Sequence, residues 1–283
     1  MTAVWTLEEP ALGQFALDPD DGFAVVAYDL GYPAARVVTD PITEGDGEDD
    51  WTAFYGARVV TLDVRAVGSA GDRQAAAGRL RQYMEPRRRV TLRWVSANWG
   101  ECRMVGRGDR FAHAVGSALS GALMRTGWRI PSGVIEAYAA SEVTMYPTSG
   151  AVAGRTYDLV FNRVYPAGSV PGKFIYNSDG TTRAWPTVRL FGPVTAPVAQ
   201  LYTSGGYWSF PTLTIPAGDF VEIDCRNRTV LTNGLPGSSV FSSLDFATLR
   251  WGWIEPGSNE ARFTGTSTTA QTEMRVTWRA AYI

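Results

Sequence analysis

From about residue 135 onward the sequence never keeps one periodicity for more than a few residues, and this constrains the fold more than any other feature. The runs TYDLVFN, KFIYN, TVRLFG, QLYT, YWSFPTLTI, FVEIDC, TVLT, ATLRWGWI, EARFTG and EMRVTWRAAYI are short and rich in β-branched and aromatic residues. Gly, Pro, Asn-Gly or Asp-Gly separates them. Such side chains suit the pleated surface of a sheet, whereas Gly and Pro interrupt it and turn the chain. Many short strands at regular spacing predict a β-sandwich or barrel.

Upstream the texture differs. In VVTLDVRAV, Val60, Leu62, Val64 and Ala66 alternate with Thr61, Asp63 and Arg65, which predicts a strand with one buried face. DRQAAAGRLRQYMEP follows: Asp72 is a candidate helix cap, and Ala76, Leu80, Tyr83 and Met84 share one helical face. Gly78 weakens this helix and Pro86 ends it. Val90, Leu92 and Trp94 then alternate in a second strand. The connection between the two strands is long enough for a parallel crossover and also compatible with an antiparallel return. In FAHAVGSALSGALM, Gly116 and Gly121 favour strand or loop over helix. The expected organisation is mainly β: an α+β domain with one main helix over residues 1–135, then an all-β domain over 136–283.

Composition removes several functions. The 26 basic and 28 acidic side chains give a net charge of -2, which disfavours nucleic-acid binding through bulk charge. No apolar run approaches the roughly 20 residues of a membrane span, and the acidic N-terminal stretch is unlike a signal peptide. His113 is the single histidine, and Cys102 and Cys225 are the two cysteines, so zinc sites and Cys-His or Ser-His catalytic sets are poorly supplied. Two buried free thiols are the expected state of the cysteines. No GxSxG, Walker A or HExxH pattern occurs. No catalytic, cofactor or metal residue is assigned.

Individual candidates each have a plainer reading. Glu222 and Asp224 lie two apart on one strand face, side by side and not across a cleft as a glycosidase pair must be. A solvated face, or pairing with Arg226 and Arg228, accounts for them. Tyr207-Trp208, Trp251 and Trp253 suggest either a platform for sugar rings or core packing. Arg107-Gly108-Asp109 spells a short adhesion tripeptide of little specificity. The acidic stretches 18–22 and 46–50 look like calcium loops, but counted from Asp18 the EF-hand position that needs Gly holds Phe23, which leaves adventitious Ca²⁺ as the alternative at either loop. His113 sits among small apolar residues as a structural histidine.

The charge is split. Twelve acids and one base, Arg36, lie between Glu8 and Asp50, while ten bases and three acids lie between Arg73 and Arg110. Either the two surfaces neutralise each other within the fold, or they meet head to tail between subunits. The second reading nominates Asp46, Glu48, Asp49 and Asp50 in an acidic loop against Arg73, Arg79, Arg81, Arg87, Arg88 and Arg89, with apolar support from the strands around Val60–Val64 and Val90–Trp94.

A series of residues in the C-terminal half carries a resemblance. Gly192-Pro193, Pro197, Gly218-Asp219, Glu222, Asp224, Asn233-Gly234, Pro256-Gly257 and Asn259 occur in that order, ahead of a final strand with a Trp and a terminal aromatic. Gly56-Ala57-Arg58 precedes a strand and an Arg- and Leu-rich helix. This series resembles the distal tail proteins of siphovirus-type bacteriophages. The resemblance implies a galectin-like β-sandwich after a ring-forming domain. It further implies a homo-oligomer, expected as a hexamer, at the distal end of the phage tail. There the ring would join the tail tube protein to the tail hub protein, carry receptor-binding or other minor tail proteins, and leave a channel for DNA. No enzyme activity, sequence-specific nucleic-acid binding, membrane insertion or cofactor is expected. A lectin-like carbohydrate-binding protein is the alternative from another class, and a glycan depolymerase the third.

Overall fold

The computed structural model describes residues 4–19, 22–41, 48–115, 122–147, 173–266 and 268–283. The strand expected at 156–162 lies outside them. The chain divides into two compact units, Met1–Ala139 with Tyr282–Ile283, and Ala140–Ala281.

In the first unit, β1 (Trp5–Glu9), β2 (Gly13–Leu17), β3 (Phe23–Asp29), β4 (Ala35–Pro41), β5 (Glu48–Tyr55) and β6 (Arg58–Ala66) precede α1 (Ala70–Tyr83). Then come β7 (Val90–Ser96), β8 (Gly100–Val115), β9 (Ala122–Ile130) and β10 (Ile135–Ala137). The main sheet runs β2-β1-β7-β8-β9-β6-β3, and β4 and β5 form a separate two-stranded hairpin. β8 organises the sheet because it takes two partners in succession. Gly100–Gly106 pairs with β7, and Arg107–Val115 pairs with β9. The strands on either side of α1 are therefore separated by β8 and β9. The helix makes neither a parallel crossover between neighbours nor a direct return, because a later hairpin fills the gap.

Two glycines permit close packing along β8. A Cβ on Gly106 would stand 2.4 Å from Ile130 Cδ1, and one on Gly108 would stand 2.1 Å from the Met84 carbonyl oxygen. Gly108 of the Arg-Gly-Asp tripeptide thus lies beneath the end of α1. α1 itself starts one turn earlier than Asp72 suggests. Ser69 is the N-cap and Asp72 the third helical residue, and the two form a reciprocal capping box. Ala77, Leu80 and Tyr83 are buried, while Ala76 is half-buried.

β1, β2 and β3 were not expected, although Trp5 and Leu7, Phe15 and Leu17, and Phe23 and Val25 alternate and are all buried. Trp5 stacks on Trp94 at 4.7 Å, and Phe15 packs edge-on against Phe23 at 4.8 Å. Each fully buried side chain of this size contributes about 1.5–3 kcal/mol.

The second unit holds β11 (Ser141–Met145), β12 (Lys173–Ser178), β13 (Thr187–Phe191), β14 (Val194–Leu201), β15 (Gly206–Ser209), β16 (Thr214–Ile215), β17 (Phe220–Asp224), β18 (Thr229–Thr232), β19 (Gly257–Thr266) and β20 (Glu273–Trp278). One antiparallel sheet has the order β11-β20-β13-β17-β18, and the other β12-β19-β14-β15 with β16 beside β14. Alternate residues are buried: Val188 and Leu190, Val221 and Ile223, Met274, Val276 and Trp278 on the first, and Ala199, Leu201, Ala261 and Phe263 on the second. Tyr176 of β12 meets Trp278 of β20 at 5.0 Å, so the two sheets share one core as a sandwich. The run 247–254 was expected to be a strand but makes only isolated bridges, Tyr207 with Arg250 and Ala184 with Ile254. Close approach of Gly252 to Gly206 shapes this segment: a Cβ on Gly252 would lie 2.8 Å from the Gly206 Cα. The last strand, β21 (Ala281–Tyr282), brings Tyr282 into the first unit, where its ring stacks on Trp99 at 5.1 Å.

Candidate functional site

The nominated arginines gather on α1 and the turn that follows it. Arg73, Arg79 and Arg81 belong to the helix, and Arg87, Arg88 and Arg89 to the turn before β7. The turn is held by Arg88 N–H donating to the Glu85 carbonyl at 2.9 Å. The Arg107 guanidinium also donates to the carbonyls of Pro86 and Arg87 at 2.9 and 3.1 Å. Leu12, Arg81, Gln82, Glu85 and Arg88 line one open groove here, and Glu85, Arg87 and Arg88 line another.

Part of this charge is engaged by the unit's own aromatic rings and carboxylates. Arg79 lies 4.5 Å from the centre of the Phe15 ring, and Arg81 lies 5.2 Å from that of Phe111. Arg88 pairs with Glu9 at 3.3 Å and Arg93 with Glu8 at 3.5 Å. Burial opposes ionisation of Glu9, but hydrogen bonds from the Leu12 and Ala11 N–H groups, with Arg88 beside it, hold its carboxyl below its ordinary value. The split seen in the sequence is therefore partly neutralised within the fold. Arg79, Arg81, Arg87 and Arg89 are exposed.

Glu48, Asp49 and Asp50 open β5, so the presumed acidic loop is in part a strand; Asp46 lies outside the described residues. The register sets Asp40 opposite Asp49 and Thr39 opposite Asp50. The apolar support proposed from Val60–Val64 and Val90–Trp94 is corrected by the structure. Val60, Leu62, Val64, Val90, Leu92 and Trp94 are all buried in the unit's own core. Exposed apolar side chains among the described residues include Val26, Tyr28, Tyr32, Tyr55 and Val59, each 45% to 70% exposed.

Residues that carried the sequence resemblance turn out to be turn and loop pins. Gly218 has φ +89° and Asn233 has φ 52°, and the Asn233 side chain accepts from Phe220 N–H and donates to Asp219, both at 2.9 Å. Asn259 is 2% exposed. Its Oδ1 accepts from Glu255 N–H at 2.9 Å, and its Nδ2 donates to the carbonyls of Glu255 and Gly257 at 2.7 and 2.9 Å. Arg58 is 1% exposed, its Nε and Nη2 find no hydrogen-bond partner, and burial lowers its pKa.

The carboxylates read as a possible catalytic pair are occupied structurally. Glu222 accepts from Arg189 Nε at 2.8 Å across the β13–β17 ladder. Asp224 caps the next turn, accepting from the N–H groups of Arg226 and Asn227 at 2.9 Å. Both cysteines are buried free thiols, and burial raises the Cys102 pKa to about 11. Among the described residues no group of three or more His, Cys, Asp or Glu side chains is placed to hold a metal ion. His113 falls in β8. Of the aromatic candidates, Trp208 is fully buried, and Trp251 packs on Trp208 and Phe241 with ring centres 6.3 Å apart in each case. Trp253 instead partners Trp185 at 6.2 Å, a residue that sequence reasoning missed.

Residues 179–282 match the family model described as the siphovirus-type tail component, C-terminal domain. Among solved structures the chain is similar to the SPP1 Dit protein, described as a paradigm of the hub adsorption apparatus in phages infecting Gram-positive bacteria. The likeness has a TM-score of 0.65 at 13% identity and covers 99% of this chain and 100% of that one. A chain of the phage p2 baseplate in its activated conformation with Sr is similar at 11% identity and a TM-score of 0.52, with 100% of both chains covered. No curated protein matches the chain. Residues 179–282 thus carry the siphovirus-type tail component, C-terminal domain, and the chain as a whole shares the fold of SPP1 Dit.

Proposed function

We propose that this protein forms a closed ring, of six copies, at the distal end of a long phage tail, where it joins the tube to the hub and leaves a channel for DNA. The observation that carries the reading is the likeness of fold to SPP1 Dit over 99% of this chain and all of that one. The first unit makes the ring and the second carries further tail parts. The protein works as a scaffold without catalytic chemistry.

A ring needs two different complementary patches on each subunit. Asp46, Glu48, Asp49 and Asp50 supply the acidic one, and exposed Arg87 and Arg89 lead the basic one. Arginine suits this contact because its planar fork holds a carboxylate at two points. Exposed ion pairs contribute only about 0–1 kcal/mol each, so apolar burial must supply the rest. The patch of Val26, Tyr28, Tyr32, Tyr55 and Val59 provides it, covered by the neighbouring copy. A near-neutral chain with a net charge of -2 suits a channel that DNA must pass without sticking.

The test is light-scattering mass across an ionic-strength series. Asp49→Lys with Asp50→Lys should weaken assembly, and Arg87→Glu with Arg89→Glu added to the same chain should restore it. Screening lengths of about 8–10 Å at physiological salt mean that both effects should fade as salt rises. Assembly of the acidic double variant at low salt indistinguishable from the parent would refute this contact. A monomer at every concentration, together with absence of the chain from tail tips by antibody labelling, would refute the ring.

A further inference from the structure

The geometry points to a saccharide-binding face on the second unit, formed by Arg183, Trp185, Trp253 and Glu255. This inference does not depend on the ring. Ala184 and Ile254 form an isolated antiparallel bridge, with N–H to carbonyl distances of 2.9 and 2.8 Å in the two directions. In an antiparallel pair, the residues flanking a bridge oppose one another on the other face. Trp185 therefore opposes Trp253, and Arg183 opposes Glu255. Ala184 and Ile254 point into the core at 2% and 0% exposure, which turns the other four outward.

The four side chains hold one another in place. The Trp185 and Trp253 rings stand edge to face, 6.2 Å apart at 71°. The Arg183 guanidinium sits 4.4 Å over the Trp253 ring. Glu255 Oε1 accepts from Trp253 Nε1 at 2.5 Å and from Arg183 Nε at 3.2 Å. The buried Asn259 side chain fixes the Glu255 backbone from below. Yet Trp185 stays 42% exposed and the Arg183 side chain 59% exposed.

This combination fits a pyranose. One face of such a sugar is a patch of C–H groups, which an exposed indole covers, and its rim carries adjacent hydroxyls. The second Glu255 oxygen and the Arg183 Nη groups lie beside the indoles and can accept from and donate to those hydroxyls. The two charges cancel, which selects a neutral sugar over an anionic one. Prior fixing of the side chains lowers the ordering cost of binding. A four-residue face is far smaller than the roughly 800 Å² per partner of a stable protein interface, so a protein occupant fits poorly.

The test uses the full chain and six neutral hexasaccharides built from glucose in α and β linkage, galactose, mannose, arabinose and N-acetylglucosamine. Saturation-transfer NMR and tryptophan fluorescence read the binding. At least one saccharide should bind. Trp185→Ala should lower its affinity about tenfold, a loss of about 1.4 kcal/mol, while the melting temperature stays unchanged. Trp185→Phe should retain part of the affinity, and Arg183→Ala should reduce it. No binding to any of the six at millimolar concentration overturns the inference, as does affinity unchanged in both alanine variants. Capture of another tail protein through this face, abolished by Trp185→Ala without any saccharide binding, would overturn it too.

Discussion

Replacing Asn259 by alanine should be among the most damaging single changes in the second unit, although the residue is small and polar. Its side chain makes three hydrogen bonds to backbone at 2.7–2.9 Å, and it is 2% exposed, so water cannot take over. Each bond is worth about 0.5–1.5 kcal/mol net, and orphaned buried backbone groups add a desolvation cost. The sum is about 3 kcal/mol, or roughly a 10 °C fall in the melting temperature of a unit of this size. Asn259→Asp discriminates further. A carboxylate keeps the acceptor toward Glu255 N–H but turns a second oxygen toward the carbonyls of Glu255 and Gly257. Its folded pKa is therefore raised, and the penalty should shrink as pH falls and the acid becomes protonated. Calorimetry and tryptophan fluorescence in denaturant measure both variants between pH 4 and 7. A cost below about 0.5 kcal/mol for Asn259→Ala, within the range of surface changes, would refute the view that this side chain pins the loop.

Further expectations concern the first unit and the pH profile. Gly78 lies exposed in the middle of α1, and a Cβ there meets nothing within 4 Å. Gly78→Ala should stabilise by about 0.5–1 kcal/mol, and a lowered midpoint in urea would show that the position is not a plain helix interior. Asp63, Asp72 and Glu260 are held below their ordinary carboxylate values by hydrogen bonds from Arg125, from Ser69, and from Lys173 with Arg262. Depressed folded values mean that their stabilisation is full above the ordinary pKa and is lost as pH falls through the folded ones. Melting temperature should hold steady near neutrality and drop below about pH 4; a rise over that interval would contradict the pairing.

The sequence revealed the fold where one strand contains its own signal. Val188 and Leu190, Val221 and Ile223, and Met274, Val276 and Trp278 alternate within single runs, and each run is a strand. The equally short β1 to β3 carry the same alternation and were missed without a physical reason. β8 was illegible for another reason. Its 16 residues serve two neighbours in turn, and periodicity does not reveal where a strand changes partner. The aromatic face shows the same limit. Trp253 was visible as an aromatic and Trp185 stood in the quoted run AWPTVRL, but only a bridge between distant residues sets them opposite each other. The charge split was visible, whereas its partial neutralisation through Glu8 and Glu9 needed their pairing with Arg93 and Arg88.

The stacking of Tyr282 on Trp99 has a consequence for biosynthesis. A ribosome releases a chain from its N-terminus, and domains fold as they emerge. Here the first unit stays incomplete until residue 282 has left the tunnel, because Trp99 lacks its partner ring until then. Synthesis of the second unit thus sets a delay before the first presents its finished surface. A truncation after residue 139 would remove that delay along with Tyr282, leaving the half-buried Trp99 ring uncovered.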